Sequence, residues 1–135
     1  MEIITADNNR YVDVGSAVIW KSLYSTVKVN LRKIEKTIRL AEEFLITGKC
    51  RWEDALETAR QMNLIRDALS QFPPTEAVYD YEDLSISAPW ENKISPVITS
   101  CGNMYTTADG KDLLVELVSL LVYASIKQTD VLTVE

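Results

Sequence analysis

The chain has 135 residues, 47% hydrophobic and 25% charged, with no histidine and a formal net charge of −6. That length and mix predict one globular domain, residues 1–135, with its own core, and exclude a low-complexity or disordered chain. The missing histidine removes the commonest general base and most metal-ligand sets.

Cys50 and Cys101 lie far apart and outside any CxxC pair, so a disulfide framework or zinc site is not expected. Each reads as a reduced, buried thiol. The N-terminal run lacks a basic signal region, and no segment reaches the roughly eighteen apolar residues of a membrane span. A soluble, cytoplasmic protein is the expectation. Residues 1–72 hold eleven Lys/Arg and ten Asp/Glu, whereas residues 73–135 hold three and ten. An acidic half repels phosphate backbones and suits a basic partner, and it also favours solubility.

In chain order, "MEIITA" alternates weakly and predicts a leading strand, with "NNR" as a turn. A helix follows from Gly15 onward, with Ser16 as its N-cap, Trp20 on the apolar face, and Leu23 and Val27 continuing that face. Leu31, Ile34, Ile38, Ala41 and Leu45 predict a second helix, capped by Asn30 and closed by Gly48. A third fits Glu53 to about Gln71, with acids in its first turns and Pro73-Pro74 ending it. "AVYDYEDL" is rich in Val and Tyr and predicts a short strand, and "VITSCGNMYTT" a further one broken at Gly102.

The last helix lies within "TADGKDLLVELVSLLVYASIKQ", with Asp109 as its expected N-cap. Its broad apolar stripe implies a central position. "DVLTVE" closes the chain as a strand. The fold class is therefore α+β: a small sheet covered by about four helices, with strands at both termini as candidates to pair.

No P-loop, GxGxxG or GxSxG string occurs. A catalytic Cys101 lacks its usual base. Asp80, Glu82 and Asp83 supply too few convergent ligands for a confident metal site. The basic run Lys28, Arg32, Lys33, Lys36 and Arg39 reads as a solvated helix face, or as an internal partner for the acidic half. The most distinctive chemistry is in "FPPTEAVYDYEDLSISAPW", residues 72–90, where carboxylates alternate with aromatics between prolines. Aromatics beside carboxylates suit an interface anchor. They suit equally a pack of Tyr79, Tyr81 and Trp90 over the sheet.

These same residues carry a resemblance. "FPP", the aromatic-acidic "YDYEDLS", "PW" with "ISPVITS", and "TADGKDLL" opening a final helix are similar to the immunity protein 70 family of bacterial polymorphic-toxin systems. The likeness is strongest from Phe72 to about Asp130 and weaker over "VGSAVIWKSLYSTV". The chain departs from the family pattern at Ala88 and Glu91, which bears on loop geometry.

The resemblance implies a cytoplasmic protein that binds and neutralises a toxin domain encoded beside it, without catalysis. It does not say which residues touch the toxin. The residues themselves nominate Tyr79, Asp80, Tyr81, Glu82, Asp83, Trp90 and Glu91 as the contact surface. The acidic C-terminal half would suit a basic nuclease as the toxin. No cofactor, nucleic acid or membrane is expected as a partner. Two other classes stay open: a general adaptor domain, and a carboxylate-metal hydrolase using Asp80, Glu82 and Asp112. The chain is expected to be a monomer, or a homodimer sharing the apolar face of residues 113–124.

Overall fold

The computed structural model describes residues 1–90 and 94–135. Strands β1 (Glu2–Thr5), β2 (Tyr11–Asp13) and β3 (Val131–Val134) form an antiparallel sheet in the order β2-β1-β3. Helices α1 (Ala17–Asn30), α2 (Arg39–Thr47), α3 (Trp52–Leu69) and α4 (Leu113–Lys127) complete an α+β architecture. The terminal strands pair, with Ile3 opposite Thr133 and Thr5 opposite Val131. Strand β2 was not expected; three residues are too short for alternation to register.

The period-2 rule sorts the sheet into two faces. Ile3, Thr5, Val12 and Val131 are buried against the helices, while Tyr11, Leu132 and Val134 stay exposed on the other side. One apolar cluster runs from these strands through all four helices. The α4 stripe is spent inside the chain: Leu113, Leu114, Leu117, Leu120, Leu121 and Ala124 are all buried. The face nominated for a homodimer is thus occupied by intramolecular packing, with α3 as its main neighbour.

Local signals explain most boundaries. Ser16 Oγ accepts the Val18 N–H at 3.1 Å, as the N-cap rule requires. Gly48 ends α2 in the left-handed region, at φ 69°. The expected second helix, however, is split. Arg32–Thr37 form a 3-10 helix with no buried residue, and α2 begins only at Arg39. Leu31 and Ile38 are buried at either end of that exposed stretch. Apolar steps of three fit a 3-10 path as well as an α-helix. Asn30 caps nothing; it closes α1, and its Nδ2 donates to the Glu76 carbonyl at 2.9 Å.

The cap of α4 is Asp112, not Asp109. Gly110 turns the chain at φ 86°, and Asp112 Oδ1 accepts the Val115 N–H at 3.3 Å. Asp109 instead accepts from the Thr107 hydroxyl in the preceding turn.

Neither middle strand forms. Residues 77–84 mix turns and a bend with irregular backbone, as do residues 97–105. In the second segment the Asn103 side chain takes the N–H groups of Thr99 and Ser100, both at 3.1 Å. The Cys101 N–H goes to the Phe72 carbonyl at 2.9 Å. Gly102 lies so close to α3 that a Cβ there would sit 2.9 Å from the Arg66 carbonyl oxygen. N–H groups satisfied in this way are not available to a ladder.

Candidate functional site

The run expected as a strand is a strap laid along α1. Four polar side chains on that helix hold it: Ser22, Ser25, Thr26 and Asn30. Helical spacing puts them on one face. Thr26 Oγ1 accepts the Val78 N–H at 2.8 Å, and Ser22 Oγ donates to the Val78 carbonyl at 2.8 Å. Ser25 Oγ accepts the Tyr81 N–H at 3.0 Å. These bonds do what a neighbouring strand would have done, which is why no strand is needed. The stripe in "WKSLYSTVKVN" escaped notice because hydroxyl residues in mid-helix usually bond their own helix or water.

Tyr105 anchors the arrangement from behind. Its hydroxyl lies 2.9 Å from Ser22 Oγ and 2.6 Å from Thr26 Oγ1. Burial pushes its pKa up to about 12. This knot of hydroxyls is fully enclosed, with Ser22 and Thr26 at 0% exposure.

The aromatics are half-buried. Tyr81 meets Tyr24 edge to face at 5.4 Å between ring centres, and Lys28 Nζ lies 5.4 Å from the Tyr81 ring centre. Tyr79 meets Trp90 at 5.8 Å. Such pairs add on the order of 1 kcal/mol beyond area burial, so part of the aromatic content is structural. Trp20, by contrast, is core: its Nε1–H donates to the Leu45 carbonyl at 2.7 Å.

The carboxylates divide in the same way. Lys21 Nζ bridges Asp80 at 3.5 Å and Glu82 at 3.2 Å. The Glu82 contact is the main reason the Lys21 pKa is raised. Lys21 is about half exposed, so solvent screens these pairs and they add little to stability. Asp80 Oδ1 also accepts the Glu82 N–H at 2.9 Å, so this side chain shapes the turn. Asp83 Oδ1 takes the Ser85 N–H and hydroxyl, which holds its carboxyl below the usual range. Among the described residues its other oxygen has no such partner. Among the described residues the acidic run pairs internally with Lys21, whereas Lys28, from the nominated basic run, meets the Tyr81 ring and not a carboxylate.

Of the nominated residues, the strap brings together Tyr79, Asp80, Tyr81, Glu82, Asp83 and Trp90, while Glu91 lies outside the described residues. Asp80 and Tyr81 are positioned by α1; Glu82 and Asp83 are exposed. Two neighbours were missed. Leu84 is 66% and Ile86 44% exposed, and both line a cleft of about 290 Å³ with Tyr79 and Trp90. Their signal was present in "DLSIS" as apolar residues at alternate positions in a polar loop. Single exposed apolar residues are ordinary, and only the fold gathers these two at one cleft.

The hydrolase reading loses its geometry here. Asp112 caps α4 and pairs with Arg66 at 3.2 Å, whereas Asp80 and Glu82 flank Lys21. Among the described residues, no three His, Cys, Asp or Glu side chains come together to hold a metal ion. Cys101 is 0% exposed, and burial pushes its thiol up to about 11, the opposite of an activated nucleophile. Among the described residues, no helix is long and apolar enough to cross a membrane.

No curated protein and no solved structure matches the chain. A family model described as Immunity protein 70 matches residues 4–133. That span runs from β1 through the strap to β3. The chain belongs to the Immunity protein 70 family.

Proposed function

We propose that this immunity protein binds a cognate toxin domain, encoded beside it, and neutralises it by one-to-one occlusion. The contact surface is the outer side of the strap: Glu82 and Asp83, with Leu84 and Ile86, against the half-buried Tyr79 and Trp90. Asp80 and Tyr81 belong to it as the residues that hold its shape, and Glu91 continues it in sequence. The carrying observation is that the exposed carboxylates Glu82 and Asp83 directly precede Leu84 and Ile86, exposed apolar side chains that line one cleft, on a segment pinned to α1.

Pinning matters because a preordered surface loses less entropy on binding. Exposed carboxylates speed encounter with a basic partner, and a few apolar anchors supply most of the affinity. A basic nuclease is the toxin class that this charge favours, and the protein acts in the compartment where its producer must be protected, the cytoplasm.

Co-expression with the neighbouring toxin gene tests the reading. The unsubstituted protein should protect cells, and Glu82→Lys with Leu84→Asp should abolish protection at unchanged thermal stability. Full protection by that double variant would remove the strap from the contact surface.

A further inference from the structure

The sheet leaves one face uncovered. The register places Tyr11, Ile4 and Leu132 side by side across all three strands, with Asp13, Glu2 and Val134 in the next row. Tyr11 is 67%, Leu132 39% and Val134 44% exposed. An apolar row on an open sheet face is unusual for a surface that meets only water.

The edges, by contrast, are occupied by the chain itself. Cys50 and Val131 exchange both backbone hydrogen bonds, at 3.0 and 2.8 Å, beside β3. On the far side the Ala108 N–H donates to the Asp13 carbonyl at 2.8 Å. Strand addition at an edge is thereby discouraged, and what remains for a partner is the face.

Each end of the apolar row opens into a cleft that carries carboxylates. Leu132 lines one of about 340 Å³, with Glu43, Asp54 and Asp130. Tyr11 lines another of about 470 Å³, with Asp13, Asp109 and Glu116. Much of the positive charge there is already engaged. Arg51 pairs with Glu53, Lys111 with Asp109, and Arg10 stacks 4.9 Å from the Tyr123 ring centre. A second copy of the chain is a poor occupant, since it would bring the same carboxylate-bearing clefts and another net charge of −6.

We infer that the open sheet face is a second docking area for the toxin domain, which meets it with an apolar centre flanked by Lys or Arg side chains. This rests on the toxin reading above. Lys21, which holds Asp80 and Glu82 of the strap, lies on α1, the helix that follows β2 in the chain.

Hydroxyl-radical footprinting of the protein with and without the purified toxin domain tests the inference. Binding should shield Tyr11, Leu132 and Val134. Tyr11→Ala with Leu132→Ser should weaken the complex about tenfold or more at unchanged melting temperature, as for truncated interface anchors. Glu2→Lys, which keeps the apolar row, should slow association most at low salt. A wild-type complex with no shielding of the sheet and an unchanged Kd for the double variant would overturn the inference alone. Shielding in the protein by itself, with a dimeric mass by light scattering, would overturn it in favour of a second copy. Failure of the unsubstituted protein to bind the toxin domain would refute the toxin reading, and this inference with it.

Discussion

Thr26→Val isolates the bond on which the strap depends. Thr26 is fully buried, and its Oγ1 accepts the Val78 N–H at 2.8 Å while lying 2.6 Å from the Tyr105 hydroxyl. Valine keeps the volume, the branching and nearly the same helix propensity, so the change removes little besides an oxygen. The Val78 N–H then has no acceptor in a half-buried site. Leaving such a donor unpaired costs about 1–3 kcal/mol. Tyr105 keeps Ser22 as a partner and adds little to the loss. We expect about 2 kcal/mol in total. Thr26→Ser keeps the hydroxyl and deletes one methyl, at about 1 kcal/mol. Urea denaturation of the two variants, with unchanged slopes, gives the order directly. Limited proteolysis should cut residues 76–90 faster in Thr26→Val than in Thr26→Ser. If valine proves as stable as serine or more so, α1 does not hold the strap through this hydroxyl.

Other consequences follow from single contacts. A Cβ at Gly48 would sit 2.1 Å from Thr133 Oγ1 at a backbone φ of 69°, so Gly48→Ala should cost about 2 kcal/mol or more. Adding Thr133→Ala should recover part of it, and a double-mutant cycle by urea denaturation would show that coupling. Asp112→Ala removes the α4 cap and the Arg66 pair and should cost about 1 kcal/mol by thermal unfolding, whereas Asp109→Ala should cost less. Cys101 is raised from 9.0 to about 11 and Tyr105 from 10.0 to about 12 in the folded chain. Both neutral forms are favoured by folding, so their contribution is complete below pH 9 and is lost as pH rises through 9–12. Urea midpoints measured from pH 8 to 11 should fall, and Tyr105→Phe should flatten the part of the fall above pH 10.

What the sequence disclosed followed from periodicity and caps. The α1, α3 and α4 patterns, Ser16 at the start of α1 and Gly48 at the end of α2 are local features, set by residues three or four apart. The terminal strands were legible, and their pairing was a fair guess. The errors came where distant groups decide. "AVYDYEDL" has strand chemistry, yet its backbone partners are hydroxyls some fifty positions earlier, on α1. The α4 cap moved to Asp112 because Gly110 turns the chain first. At the strap, sequence found the acids and aromatics but could not separate the half-buried Asp80 and Tyr81 from the exposed Glu82 and Asp83. Leu84 and Ile86 were passed over because single exposed apolar residues are ordinary, and it is the folded path of the loop, not local spacing, that brings them beside Tyr79 and Trp90.

Titration of toxin activity with the purified protein tests the central claim most directly. With toxin concentration well above Kd, occlusion predicts a linear fall in activity that reaches zero at one equivalent. Glu82→Lys with Leu84→Asp should leave activity near its starting value at that point. Complete loss of toxin activity at a small fraction of an equivalent, or inhibition by the double variant equal to that of the unsubstituted protein, would contradict the account.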